Sequence, residues 1–561
     1  MFTPKLVSEL KTYSKDKAVA DLFAGLTVGV VALPLAMAFA IASGLPPERG
    51  LYTAIVAGFL ISALGGSKVQ IGGPTGAFVV IVSAILLEHG TAGLAVATLM
   101  AGVMLILFGA FKFGGLIKFI PFPVTTGFTT GIAVVIFSTQ VRDLFGLDIE
   151  HVPAEFIPKW RALVGHFSTL DATTTLLGLS TIVIVVVCRT YWPKLPAMLI
   201  GMLATTTVAV AFDLNVATIG SRFGELPRSL PGLSMPDFAW DQLPKLVNPA
   251  FTIALLAAIE SLLSATVADG MIGGRHRPNI ELIGQGVANI ASVLFGGIPA
   301  TGAIARTATN VKSGARTPVA GMIHALVLLI LLLLVGPWAK LIPLSALAGI
   351  LVVVAYNMSE RHHFVAMLRG PRSDAFVLVL TFMLTVLVDL TVAVEVGVVL
   401  ASLLFIRRMA EISHVNMITR ELRGDQSFVE DPQALALKEV PPDVEVFEVN
   451  GPFFFGMIDT FKNAMRTIEK PPRVLIVRIR NVPAVDGTAI HVLTELAHRC
   501  QRDHTHLVFS GVHAQPLKAF TKAGLVSLLG PDHFKEDIDE ALAFSKVLVQ
   551  HIEDGQKRPL R

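Results

Sequence analysis

Residues 296–307 read GGIPATGAIART. An apolar region is broken here by Gly296, Gly297 and Pro299, and it resumes around a single arginine, Arg306. A cation at membrane depth costs roughly 2.5–3.5 kcal/mol on insertion scales, so it needs a cavity, a counter-charge or an anionic ligand. A stretch of the same kind lies earlier in the chain, where Gly72-Gly73-Pro74 precedes Thr75-Gly76-Ala77-Phe78. Thr75-Gly76-Ala77 is matched by Thr301-Gly302-Ala303 at a constant offset of 226 residues. Two Gly/Pro-interrupted hydrophobic segments in corresponding halves point to the midplane binding site of a transporter built from inverted repeats. Each is expected to be a half-helix whose N-terminal end, with its free N–H groups and positive dipole, is turned towards the other. An anion fits between them. Thr-Gly-Ala alone is three common residues; the Gly/Pro break before it and Arg306 after it give the match its weight.

The remaining composition agrees with a membrane protein. The 561 residues are 53% hydrophobic and 16% charged, with a mean hydropathy of +0.67, too apolar for an ordinary soluble chain. The first residues carry Lys5, Lys11, Lys15 and Lys17 but no short apolar core followed by a small-residue cleavage site, so no cleaved signal peptide is expected and the N-terminus is placed in the cytoplasm. Cys188 lies in an apolar run and Cys500 in the polar C-terminal part, an arrangement that predicts neither a disulfide nor a metal site. The net charge of +3 says little, but its distribution is informative.

Apolar runs predict fourteen segments, at 22–43, 50–65, 75–87, 91–110, 122–140, 173–190, 196–213, 248–268, 279–296, 302–313, 317–336, 342–356, 373–388 and 391–408. Several are shorter than the roughly 20 residues of a spanning helix, and those at 75 and 302 are the half-helices. With the N-terminus inside, the cytoplasmic loops collect Lys68, Lys112, Lys118, Arg189, Lys194, Arg275, Arg277, Lys312, Arg316, Arg361, Arg369, Arg372, Arg407 and Arg408. This bias predicts an even number of crossings with both ends cytoplasmic. Division into seven plus seven gives halves of opposite orientation, because seven is odd. The offset also maps Pro34, in the middle of segment 1, onto Glu260, in the middle of segment 8. A proline bends a membrane helix and frees a carbonyl, and Glu260 is a carboxyl group at membrane depth.

The expected organisation is a cytoplasmic segment over 1–20 and a transporter domain over 21–410, with repeats at about 21–213 and 247–408. A linker follows over 411–440, then a small α/β domain over 441–550 and a tail over 551–561. In the α/β domain, VEVFEV (444–449), VLIVRI (474–479) and HLVFSGV (506–512) read as strands alternating with helices near 456–468, 487–501 and 515–523. The domain has no Walker loop, zinc spacing or nucleophile elbow, and an enzyme is not expected.

ALPLAMAFAIASGLPPERGLYTAI (32–55), GGPTGAF (72–78), ESLLSATVADGMIGGRHRPNIELIGQGVANIASVLFGG (260–297), PATGAIARTATN (299–310) and VPAVDGTAIHVL (482–493) together resemble the SulP/SLC26 anion transporters that carry a C-terminal STAS domain. IESLLSA, the AIART motif and NMSE (357–360) are similar to the bacterial aerobic C4-dicarboxylate branch. The resemblance implies an α-helical polytopic protein, a seven-plus-seven inverted repeat divided into core and gate domains, elevator-like movement and a homodimer. It places the substrate between Thr75, Gly76, Ala77 and Phe78 on one side and Ala303, Ile304, Ala305 and Arg306 on the other. Relatives have Gln where this chain has Leu35, and several have Ser at Ala305. Sodium-coupled bicarbonate members have Asp and Thr at Glu260 and Ser264.

Arg306 reads as the cationic partner of a carboxylate, or as a packing arginine held by Glu260 or a carbonyl. Glu260 reads as a proton site, or as a structural counter-ion. Asp269 is expected to cap segment 8, Asp389 and Glu395 to face water, His324 to pack, and Arg275-His276-Arg277 to anchor topology. Thr488, in Asp486-Gly487-Thr488-Ala489, resembles the position of the phosphorylated serine in bacterial anti-sigma-factor antagonists and is a candidate regulatory site. The reading is a secondary transporter in the cell inner membrane taking up C4-dicarboxylates such as succinate, fumarate or aspartate with protons. Alternatives are a sulfate or bicarbonate transporter coupled to protons or sodium, an anion channel, and a STAS-mediated regulator. No cofactor, metal or nucleic acid is expected. The expected partners are a small anion, the lipid bilayer, a second copy of the chain and a cytoplasmic protein bound by the STAS domain.

Overall fold

The computed structural model describes residues 3–556, apart from 116–120, 150–151, 154, 194, 228, 237–242, 389, 413, 418–438, 467 and 469. Lys118, Lys194, Asp389 and most of the stretch read as a linker therefore lie outside the described residues, as does the end of the tail. The chain forms two compact units, 1–401 and 402–561.

The first unit is helical and contains segments 1–13 and the first half of segment 14, up to residue 401. Segment 1 is Lys15–Ala42 and segment 2 Pro47–Leu64; segments 3 and 4 share the run Gly76–Ala110, broken at Gly90, whose φ of +68° is outside helical geometry. Segments 5, 6 and 7 are Phe122–Phe145, Ala172–Tyr191 and Ala197–Ala211. The second half repeats the pattern with Leu243–Ile272, Pro278–Leu294, the nine-residue Ile304–Lys312, Val319–Ala339, Leu344–Met358, Arg372–Leu387 and Leu390–Ile412. Start signals are local: Pro47 and Pro278 lie at first-turn positions, and the Asp171 carboxylate caps segment 6 through the Thr174 N–H.

Two helical bodies result. Segment 11 packs on segments 1 and 2, while segments 8 and 9 pack on the helix of segments 3 and 4. Segments 12 and 13 pack on segment 5, segment 12 on segment 6, and segment 6 on segment 7. The first body, segments 1–4 with 8–11, is the core; the second, segments 5–7 with 12–14, is the gate. Two buried carboxylates tie the halves of the core together. Asp21 on segment 1 accepts the N–H groups of Arg316 (2.7 Å) and Thr317 (3.0 Å), and Glu281 on segment 9 accepts those of Gly66 (2.7 Å) and Ser67 (3.1 Å). The N-terminal helix Lys5–Leu10 straps the same edge, with the Lys5 N–H donating to the Gly65 carbonyl and Glu9 paired to Lys68 at 2.9 Å. Arg277 donates to Thr3 at 2.7 Å, and Asp269 accepts from the His276 N–H at 2.7 Å.

Strands β1 (Gly72–Gly73) and β2 (Thr301–Gly302) belong to the first unit. The second unit is a five-stranded sheet in the order β3 (His414–Met417), β4 (Val444–Asn450), β5 (Val474–Asn481), β6 (His506–Ser510) and β7 (Phe534–Lys535). β3 is antiparallel to β4 and the remaining pairs are parallel. Three strands and the helices Ile458–Arg466, Gly487–Arg502 and Ala514–Lys522 are those read from the pattern. β3 falls inside the stretch read as linker, and β7 is too short to leave a periodic signal.

Candidate functional site at the paired half-helix ends

Gly72 pairs with Gly302, and Gly73 with Thr301, antiparallel. This two-residue ladder brings the breaks of the two repeats side by side, and each strand leads directly into a half-helix. The Ala303 N–H continues the ladder to the Ile71 carbonyl at 2.8 Å. Side chains fasten the back of the ladder. The Ile71 N–H donates to Thr307 Oγ1 (3.0 Å), Thr301 Oγ1 to the Ala257 carbonyl (3.0 Å), and Asn310 Nδ2 to the Val69 carbonyl (2.8 Å). Gln70 Nε2 donates to the Ser261 carbonyl at 3.1 Å. These bonds satisfy irregular backbone within protein, which membrane depth demands.

Neither half-helix is capped by its own first residue. Thr75 and Ala303 occupy the N-cap positions, and neither side chain accepts a first-turn N–H. Instead Thr75 Oγ1 donates to Glu260 Oε2 at 2.8 Å. The first turns therefore keep the donor groups and positive dipole that favour an anion. Thr75, Gly76, Ala77 and Phe78 are buried, whereas Ile304 and Ala305 are exposed and Glu260 is half-buried. The accessible face of the site is thus edged by a carboxyl on one side and by the first turn of segment 10 on the other. A Cβ at Gly76 would lie 2.9 Å from Ile136 Cδ1 and 3.1 Å from Met358 Sδ, so the first turn of segment 3 abuts the gate.

Arg306 is 3% exposed, and its guanidinium reaches behind the ladder. Nη2 donates to the Pro74 carbonyl, and Nη1 lies where a Cβ on Gly73 would come within 2.8 Å. Gly73 has φ +144°, so its missing Cβ serves both the backbone and the arginine. Among the described residues no ion pair joins Arg306 to Glu260. Of the alternatives for Arg306, the carbonyl contact is the one present, and Nη1 has no hydrogen-bond partner among the described residues.

Ser264 donates to Thr307 at 3.1 Å and so belongs to the rear network. His324 is fully buried. Glu395 is exposed. Thr488 is exposed in the first turn of Gly487–Arg502, whose cap is Asp486, accepting the Ala489 N–H at 2.8 Å. Gln70, Thr307, Asn310, Asp21 and Glu281 were not singled out in the sequence. The signal available for the last two was a carboxylate within an otherwise apolar helix.

The family described as "Sulfate permease family" matches residues 19–381, and the STAS domain matches 436–541. The chain belongs to the sulfate permease, or SulP/SLC26, family. It is an anion transporter. It is 44% identical to the putative sulfate transporter YvdB of Bacillus subtilis, over 94% of this chain and 98% of that one. It is 31% identical to the bicarbonate transporter BicA of Picosynechococcus, over 96% and 97%. Its fold matches the solved SLC26A9 with a TM-score of 0.85, covering 98% of this chain and 93% of that one at 18% identity. The transmembrane domain of a cyanobacterial BicA gives 0.63 at 33% identity over 68% and 98%. The expected placement in the C4-dicarboxylate branch is corrected by the YvdB and BicA relatives, whose names specify sulfate and bicarbonate. Two of the motifs that suggested it, IESLLSA and AIART, lie in the ladder and half-helix region, where the contacts are largely to backbone and carry little information about the shape of an anion; the third, NMSE, lies at the end of segment 12 in the gate.

Proposed function

We propose that the chain is a proton-coupled carrier of a small inorganic oxyanion, sulfate in the first place, working by movement of the core against the gate. The observation that carries this reading is the position of Glu260, half-buried and bonded to Thr75 at one half-helix end. A charged carboxylate there opposes an anion between the two ends, and a protonated one admits it. Loading thus favours anion and proton together. Substrate contact falls to the first-turn N–H groups of Gly76 and Ala77 and of Ile304 and Ala305, flanked by Thr75, Phe78 and Ala303, with Arg306 supplying positive potential from behind. Bicarbonate is the second reading, favoured by the BicA relatives that cover nearly all of the chain. The assembly is a homodimer in the cell inner membrane with both termini cytoplasmic. The STAS domain docks a cytoplasmic partner, and exposed Thr488 is its modifiable residue.

The test is uptake of labelled sulfate into proteoliposomes under imposed proton or sodium gradients, with bicarbonate and succinate as competitors. An acidic exterior should drive accumulation, and Glu260→Gln should keep sulfate exchange while losing that accumulation. Inhibition by succinate but not by excess unlabelled sulfate would overturn the substrate assignment. Full pH-driven accumulation by Glu260→Gln would place the proton elsewhere.

A further inference from the structure

The seam between core and gate contains a cavity of about 700 Å³, within the range of about 300–1,000 Å³ for small-molecule sites. Leu33 and Met37 of segment 1 and Leu332 of segment 11 form the core wall; Met202 and Thr206 of segment 7 and Ile342, just before segment 12, form the gate wall. The lining is apolar. Its two threonines, Thr206 and Thr207, turn their hydroxyls to the Met202 and Leu203 carbonyls of their own helix, at 2.7 and 2.8 Å. These side chains therefore offer no free donor to a polar occupant.

The outer end of the cavity is roofed. The Ile219 N–H donates to the Ile342 carbonyl (2.9 Å), Gly220 to Lys340 (2.8 Å) and Leu344 to Ala217 (2.9 Å), and Leu226 completes the lining beneath this loop. The lateral rim is open and apolar, with Leu203 51%, Val210 52% and Trp338 64% exposed. These residues lie on membrane segments, so the medium facing that opening is hydrocarbon, and Trp338 stands where aromatic side chains mark the interface. Among the described residues, the basic groups of the roof are paired, Lys340 with Glu225 and Arg222 with Asp143 at 3.1 Å.

We propose that this cavity is a binding site for a single lipid acyl chain, entering from the bilayer between segments 7 and 11 and lodging between core and gate. Because Lys340 and Arg222 are neutralised by partners and the lining is apolar, recognition is of the chain and not of the headgroup. An occupant wedged between the two bodies also slows their relative movement, so filling the site changes the rate of exchange. That last clause rests on the proposed carrier mechanism; occupancy itself does not.

The experiment uses the full chain in proteoliposomes doped with phosphatidylcholine carrying a photoactivatable acyl chain, followed by peptide mapping. Labelling should concentrate on 199–211 and 331–342, above the level on the lipid-facing residues Leu176 and Val183 of segment 6. Gly336→Phe fills the cavity, and among the described residues a Cβ at Gly336 meets only the Pro227 carbonyl, at 3.9 Å, so the backbone need not move. It should reduce labelling of those peptides to the segment 6 level, while Gly336→Ala retains it. Thr207→Phe provides a second block if Gly336→Phe does not fold. Exchanging the headgroup for phosphatidylglycerol should leave the pattern unchanged. Uniform labelling of all lipid-facing helices, undiminished labelling in the folded filled variants, or a pattern that follows the headgroup would each overturn the proposal.

Discussion

A buried guanidinium that bonds a carbonyl behaves differently from one that waits for ligand. Because Arg306 holds Pro74, its removal leaves a buried acceptor without a donor, a loss of about 1–3 kcal/mol. Arg306→Ala is therefore expected to lower the melting temperature as well as abolish sulfate uptake. Thermal unfolding in detergent beside vesicle transport checks this; an unchanged melting temperature would leave Arg306 with an electrostatic role alone. A second expectation concerns Cys500, buried in the second unit. Burial pushes its thiol from the ordinary 9.0 up to about 11, so the folded state keeps its proton longer than the unfolded state does. The stabilisation is fully present below pH 9 and is lost as pH rises towards 11, at no more than about 1.4 kcal/mol per pH unit. Alkylation of native protein at pH 8 should spare Cys500 until denaturant is added, as peptide mapping would reveal. At this scale the sequence showed which side chains were unusual but not whom they would meet. Glu260 and Arg306 stood out as charges in apolar surroundings, yet their nearest partners are a threonine hydroxyl and a backbone carbonyl, and neither choice is written in residue type.

Among the elements, the ladder of β1 and β2 sets the strictest steric demand. A Cβ at Gly302 would fall 1.6 Å from Gln70 Nε2 and 3.1 Å from the Ser261 Cα. Gly302→Val is thus expected to fail by disturbing the ladder, reducing folded yield and not merely obstructing the approach of an anion. Gly302→Ala combined with Gln70→Ala removes the nearest colliding atoms and should recover monodisperse protein that Gly302→Ala alone does not; fluorescence-detected size exclusion distinguishes the two. The helices themselves were legible because each has a long apolar run and a proline, glycine or acidic start signal. Segments 3 and 10 were legible for the opposite reason, since their Gly/Pro breaks interrupt such runs. The pairing of the breaks depends on backbone hydrogen bonds across 226 residues and leaves only the repeated Thr-Gly-Ala as a trace. The amphipathic helix Phe156–Gly165 is not legible as a span, because its ten residues lie in a connection and carry no membrane-length apolar run.

For the molecule as a whole, the division into units gives a further expectation. β3 is paired along β4 from His414↔Asn450 to Met417↔Phe447, so a fragment starting at residue 440 leaves that edge of β4 unpaired. Such edges recruit other chains. The fragment from 440 should self-associate in light scattering, and one starting at 402 should do so less; equal behaviour would make β3 dispensable. Family membership and fold class were readable because motifs spread over nearly the whole chain all agree. Substrate identity was not, because a site built from helix ends responds to charge and leaves shape to a few contacts. The two-residue ladder also imposes an order on biosynthesis. Gly72 leaves the ribosome long before Gly302, and at about 5–20 residues per second the interval is roughly 10–50 s. For that time the first half-helix is in the translocation machinery or the bilayer with its strand unpaired. A nascent chain stalled before residue 301 should remain accessible to membrane quality-control proteases, and one stalled well beyond segment 11 should not.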